Sequence, residues 1–289
     1  MSLREADYNQ EGVALLATRI GRSRMRRVQD IMTFLEQFAP LQLAESWDNV
    51  GLLLGDRERT VSRVMTCLTL TPDVAEEAVD DKAQLIICHH PILFRAVKRL
   101  TSDTDEGRML LQLMESRIAV YSPHTAFDSA AEGINASIAA GLKLEEVRPL
   151  RPHAIDPEGA VGGGRCGRLA MPIALRELIA RAKKLLSAPA AKVVGDLNYP
   201  VQSVAIACGS GAEFLPDAVR AGCDVLITGE ARFHACLEAR SGPTALVLLG
   251  HYATERPGVE RLAVQIAEKF AKITCWPSRK ETDPVRWVG

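Results

Sequence analysis

Three short stretches of this sequence place imidazole and carboxylate side chains side by side. Cys88-His89-His90-Pro91 carries two adjacent histidines, His124-Thr125-Ala126-Phe127-Asp128 a histidine and an aspartate, and Gly250-His251-Tyr252-Ala253-Thr254-Glu255 a histidine and a glutamate. Nitrogen and oxygen donors without thiolate suit Zn, Fe, Mn, Co or Ni, and together these groups outnumber the about four ligands of a tetrahedral zinc. The count favours two metals. Two ions about 3.5 to 4 Å apart need a bridging group, and a carboxylate bridges where an imidazole cannot, which leaves Asp128 or Glu255 as the bridge. The residual positive charge then calls for hydroxide, phosphate or another anionic substrate. Such a centre activates water near neutral pH and polarises a carbonyl, imidazole or phosphoryl group.

For these groups to meet, the elements that carry them must end on one edge. The apolar run 85–88 reads as a buried strand, and Pro91 stops the ladder just beyond the two histidines. Neighbouring side chains on a strand face opposite ways, so His89 and His90 converge only if the backbone turns between them. Segments 118–122 and 245–249 read as the strands before the other two clusters. In a mostly parallel sheet the three carboxyl ends share the edge where α/β proteins bind ligands. The periodicity also predicts helices over 28–38, 72–81, 107–116, 130–142 and 257–271, the last with Pro257 in its first turn, and a strand over 64–70. Segments 64–91 and 204–232 share strand, polar turn, acidic-starting helix and strand, a weak internal duplication.

The fold class is α/β, in two lobes. Pro149, Pro152, Pro157 and Gly162-Gly163-Gly164 interrupt all periodicity, so 28–148 forms a first lobe, 149–164 a linker and 165–289 a second lobe. Residues 1–27 hold six Arg and no Lys and read as a flexible extension. A formal net charge of -1 gives no polyanion-binding surface, so nucleic acid is not an expected partner. The seven cysteines form no C-x-x-C pair and read as reduced core thiols of a cytoplasmic protein, and no run approaches the about 18 to 20 apolar residues of a membrane helix.

Several residues keep two readings open. His124 is a ligand or a proton-transfer group, and His234, on a helix over 233–240, is a ligand, a ligand's partner or a surface residue. His153 stays with the boundary. Trp47-Asp48-Asn49 reads as a structural turn with Trp47 in the core, a role lining the pocket being the alternative, and Gly209-Ser210-Gly211 as a tight turn that lacks a phosphate-loop lysine.

Trp47-Asp48-Asn49-Val50-Gly51, the three clusters above and Thr228-Gly229-Glu230 occur in an order that resembles the NIF-three-like family, over residues 28–277. Members of that family carry the label GTP cyclohydrolase 1 type 2. The resemblance implies two related α/β lobes with a dinuclear metal site in the cleft between them. His89, His90, Asp128, His251 and Glu255 match the family's metal-ligand positions, holding two divalent ions (Zn, Mn or Fe), while His124 and His234 match histidines near the site with a catalytic, proton-moving role. A homohexamer is the implied assembly and a small molecule, nucleotide-like or phosphorylated, the implied substrate of a metal-dependent hydrolase. The alternative is a non-catalytic metal-binding regulatory or adaptor protein in a ring assembly. One departure is Glu230, where the family commonly has Asp after Thr-Gly.

Overall fold

The computed structural model describes residues 25–156 and 159–288, so the expected extension falls, up to residue 24, outside the described residues. In chain order the strands are β1 (Gly51–Leu54), β2 (Arg63–Cys67), β3 (Leu85–Cys88), β4 (Ala119–Ser122), β5 (Glu145–Arg148), β6 (Arg151–Pro152), β7 (Gly162–Gly163), β8 (Arg165–Ala174), β9 (Lys192–Val194), β10 (Pro200–Ala207), β11 (Val225–Thr228), β12 (Ala245–Leu248) and β13 (Thr274–Pro277). They form two sheets, ordered β1-β4-β3-β2-β13 and β5-β8-β10-β11-β12-β9, with β6 and β7 paired apart from both. Central strands are parallel in each: β2, β3 and β4 in the first, β10, β11 and β12 in the second. Parallel strands are covered on both faces, which is why β3 (LIIC) and β11 (VLIT) are apolar but for one polar end residue and buried throughout.

The duplication is visible in the register. Val64 pairs with Leu85 and Val204 with Val225, a separation of 21 residues in each βαβ unit (85 − 64 and 225 − 204). One apolar core runs between the lobes, from Ile31 and Leu35 of helix Val28–Phe38 through Leu85, Phe127 and Ile134 to Val204, Val247 and Ile266. Smaller clusters cover the outer face of each sheet.

Four local expectations differ from what is observed. Pairing of β5 with β8, and of β13 with β2, puts 145–148 in the second sheet and 274–277 in the first, so the sheets are not divided at 148 and 165. Proline and glycine density marks loops, whereas a strand's partner is chosen by long-range packing. Strand β2 stops at Cys67 because the N–H groups of Leu68 and Thr69 go to the Glu281 carboxylate. The helix expected over 130–142 is Ile134–Gly141, preceded by a separate short helix, His124–Ser129. The last long helix begins at His251, with Pro257 inside it. A proline there forfeits one backbone bond, yet Ala253, Thr254, Glu255, Gly258 and Val259 around it are buried, and packing outweighs the loss.

All seven cysteines are free, and no helix among the described residues is long and apolar enough to cross a membrane. After β13 the chain is fastened by Glu77, 4 % exposed, which accepts Ser278 Oγ at 2.6 Å and the N–H groups of Arg279 and Lys280 at 3.0 Å. Burial alone raises this carboxyl, but those hydrogen bonds outweigh it and hold it below its ordinary 4.5. A carboxyl lowered on folding contributes stability that is complete above its unfolded pKa and lost as pH falls through its folded one. At pH 7 Glu77→Gln therefore costs about 1–3 kcal/mol. In urea melts at decreasing pH, the gap between the two proteins closes below about pH 4.5; a gap independent of pH contradicts the assignment.

Candidate metal centre

Beyond β3 the chain bends at His89 and His90, and both imidazoles turn to one side, their ring centres 5.3 Å apart. Beyond β4, His124 opens its short helix at a φ of +29°, a left-handed conformation unfavourable for a residue with a Cβ. Beyond β12, Gly250 turns the chain into helix His251–Lys269, so that His251 and Glu255 stand one turn apart on one face. Each lobe thus ends its third parallel strand in a helix bearing a histidine and, four residues on, a carboxylate: His124 with Asp128, His251 with Glu255.

These side chains converge. Glu255 Oε2 lies 3.0 Å from His90 Nε2, 3.0 Å from His251 Nε2 and 3.9 Å from His89 Nε2, while His89 Nε2 lies 3.6 Å from Asp128 Oδ1. The Nε2 atoms of His90 and His251 are 3.2 Å apart. Three imidazoles are oriented through Nδ1: His124 by Asp48 Oδ1 at 2.7 Å, His90 by Thr69 Oγ1 at 2.8 Å and His251 by Glu230 Oε1 at 3.0 Å. Asp128 is held by Cys208 Sγ, which donates to its Oδ1 at 3.2 Å, and by Asn135 Nδ2, which donates to its carbonyl at 3.1 Å.

His90 and Glu230 each stand two residues past the middle strand of their lobe, and each is bonded by a hydroxyl from the loop after the preceding strand, Thr69 and Ser210. Glu230 is thus the second lobe's counterpart of His90, turned to orient a ligand type instead of supplying one.

The electrostatics are those of a site built for cations. Burial drives the His89 imidazole well below its ordinary pKa, so it is a neutral base. Burial raises Glu255, but hydrogen bonds from His251 and His90 outweigh it and hold the carboxylate far below its usual range. His251 is raised to about 9: burial opposes its charge, and Glu255 and Glu230 overcome that. Burial and the neighbouring Glu255 push Asp128 up. Asp48 is lowered, its burial outweighed by hydrogen bonds from His124 and Thr125.

A divalent ion fits these residues. Both ring nitrogens of buried His89 lack a protein hydrogen-bond partner, a cost of about 1–3 kcal/mol unless a ligand takes one up. A tetrahedral ion with bonds of about 2.0–2.1 Å spaces its donors about 3.3 Å apart, and the spacings here run from 3.0 to 3.9 Å. Three donor groups qualify: His90, His251 and Glu255; His89, Asp128 and Glu255; and His89, His90 and His124.

The sequence-derived residues are placed unequally. His89, His90, His124, Asp128, His251 and Glu255 are brought together. His234 is exposed on helix Phe233–Ser241 against the ring of Phe233, outside the cluster, and His153 accepts Ile155 N–H in its loop. Trp47 is not core: it is 59 % exposed and lines a cavity of about 500 Å³ beside Phe94 and His124. Asp48, expected in a structural turn, instead orients His124. Its signal was position, since β1 just after it pairs Gly51 with Ser122, which sets the turn beside His124.

Gly209 shows how closely Glu255 is held. It has a φ of +60°, and a Cβ there would lie 2.0 Å from Glu255 Oε1. Gly209→Ala is expected to displace that carboxylate and lower metal content by elemental analysis while the circular dichroism stays folded; full metal content in the variant contradicts the placement of Glu255.

The fold and this cluster define a two-lobed α/β protein with a candidate histidine–carboxylate metal centre where the sheets' carboxyl edges face each other. Residues 26–284 match the family model described as Duf34/NIF3 (NGG1p interacting factor 3), and the chain belongs to that family. A Streptomyces coelicolor protein named GTP cyclohydrolase 1 type 2 homolog is 38 % identical over 84 % of this chain and 87 % of its own length. NIF3-like protein 1 of Drosophila melanogaster is 34 % identical over 91 % and 90 %. Among solved structures, a Bacillus cereus protein related to NIF3 shares the fold at a TM-score of 0.82 and 22 % identity, covering 92 % of this chain and all of its own.

Proposed function

We propose that the chain is a dinuclear metal-dependent hydrolase of a nucleotide-like or phosphorylated substrate, with two divalent ions (Zn, Mn or Fe) as cofactors. The observation that supports this reading is the meeting of six donor side chains, five of them (all but buried His89) in the wall of a cavity also lined by Trp47, Phe94 and Phe214. His90 and His251 would hold one ion and His89 and Asp128 another, with Glu255 belonging to both of these donor groups. Bound there, the ions supply Lewis acidity and an acidified water. The remaining work falls to the chain. The aromatic walls hold a flat base and exclude water. His124, its Nδ1 fixed by Asp48, presents Nε2 to the cavity and carries the proton there. The name of the Streptomyces coelicolor relative points to opening of the purine imidazole ring of GTP as the first reaction to try. A homohexameric ring, open to native mass spectrometry, belongs to the same proposal; within one subunit His234 lies outside the donor groups.

The second reading, a metal-binding adaptor, draws on a different observation: two of the three donor groups combine residues of both lobes, so bound ions clamp the lobes together. One experiment separates the two. Metal-replete protein is assayed by chromatography against GTP, other nucleotides and phosphoesters, beside His124→Ala. Turnover that the variant loses while keeping its metal supports the hydrolase; metal-replete protein that turns over none of the panel favours the adaptor.

A further inference from the structure

Glu281 lies in the segment that leaves β13, remote in sequence from every donor, yet it bonds the Leu68-Thr69 loop of the first lobe and the helix that carries His251 and Glu255. Its side chain is 5 % exposed. One carboxylate oxygen accepts the N–H of Leu68 at 2.9 Å and the other that of Thr69 at 2.6 Å. The same carboxylate pairs with Arg256, the residue after Glu255, and the Tyr252 hydroxyl, one residue after His251, donates to the Glu281 carbonyl at 3.3 Å. The loop it grips in the first lobe carries Thr69, whose hydroxyl lies 2.8 Å from His90 Nδ1. When Nδ1 donates to that hydroxyl, the Nε2 lone pair is free for a cation, and the bond fixes the plane of the ring.

A bland account is available: a buried carboxylate satisfies two backbone donors and an arginine and does nothing else. Glu77 shows what that looks like. It is buried to a similar degree and grips the same tail at Ser278, Arg279 and Lys280, yet none of those partners is bonded to a donor histidine. The two glutamates differ in one step: Glu281 bonds the loop whose Thr69 reaches His90, whereas Glu77 reaches Arg256 and Glu281 only through Ser278.

We infer that Glu281 is a positioning residue of the metal centre, acting on His90 through the Leu68-Thr69 loop and on the helix of His251 and Glu255 through Arg256 and Tyr252. The inference rests on the metal-binding reading above. Its consequence is that the carboxyl-terminal tail is an outer layer of the site.

The test uses the full chain and zinc as the probe, with affinity read by competition against a chromophoric chelator and folding by thermal melting. Glu281→Gln places an amide NH₂ against a backbone N–H, and Thr69→Val removes the hydroxyl at nearly constant shape. Both are expected to weaken zinc binding about 10–100-fold, and Thr69→Ser, which keeps the hydroxyl, to restore it. Glu77→Gln is expected to lower the melting temperature and leave the zinc affinity of the folded protein at the wild-type value. Should Glu281→Gln behave like Glu77→Gln, losing stability but not zinc, Glu281 is structural only and the inference is overturned. Wild-type protein that takes up no zinc refutes the metal reading itself, and the inference with it.

Discussion

If the centre holds two ions as proposed, Glu255→Ala is expected to cost both, whereas His251→Ala and Asp128→Ala each cost one. The asymmetry comes from geometry. Glu255 Oε2 is within 3.0 Å of His90 Nε2 and His251 Nε2 and within 3.9 Å of His89 Nε2, so a single carboxylate serves both donor groups. His251 belongs to one group and Asp128 to the other. Removing Glu255 also takes away the anion that offsets an ion's charge and leaves two imidazole nitrogens 3.2 Å apart as the remaining donors of that group. The loss of affinity should exceed the about 10–100-fold typical of removing a ligand's outer partner. Elemental analysis of the three variants after dialysis reads the result. If Glu255→Ala keeps one ion as firmly as His251→Ala does, the carboxylate is a terminal ligand and Asp128 becomes the bridge.

Arg165→Ala carries the largest expected loss of stability. The side chain is 2 % exposed and makes no ion pair with a carboxylate among the described residues; its guanidinium donates to the carbonyls of Gly162 and Gly164 at 2.7 Å, Ser129 at 3.2 Å and Ala130 at 2.6 Å. Burial lowers its pKa to about 10, still far above neutrality, so the charge is held by four carbonyl dipoles. Truncation leaves those carbonyls unpaired and a cavity between the segment after Asp128 and the second lobe, costing about 3–5 kcal/mol. Arg165→Met fills much of the volume without the hydrogen bonds, so it separates packing from polarity. Urea midpoints for both variants, compared with wild type, check the claim. A loss within about 1 kcal/mol for Arg165→Ala would mean that the guanidinium does not tie the lobes.

Much of the centre was legible because its residues follow short apolar strands. Leu85-Ile86-Ile87-Cys88 and Val225-Leu226-Ile227-Thr228 read as buried strands and are buried strands, and the residues after a strand's carboxyl end are where ligands gather. The 21-residue registers confirm a duplication visible only faintly in the residue types.

What stayed hidden depended on contacts across long sequence separations. Glu281 ends β2 early, and β13 returns to the first sheet from the far end of the chain; no local pattern announces either. Pro257 misled because its effect on helix propensity is local, while the burial that overrides it comes from both lobes. The roles of Asp48 and Cys208 were not legible for a related reason. A lone aspartate in a turn and a lone cysteine after a strand say nothing of the His124 and Asp128 atoms they meet. Trp47 read as core by its size, yet the cavity it lines is what gives a large aromatic residue reason to stay at the surface.

The claim at the centre of this account is two ions bridged by Glu255, and anomalous diffraction from crystals of the metal-reconstituted chain tests it most directly. The prediction is two peaks about 3.5 to 4 Å apart, one against His90 and His251, the other against His89 and Asp128, with Glu255 in contact with both. A single peak, or a pair in which Glu255 touches only one ion, would contradict it.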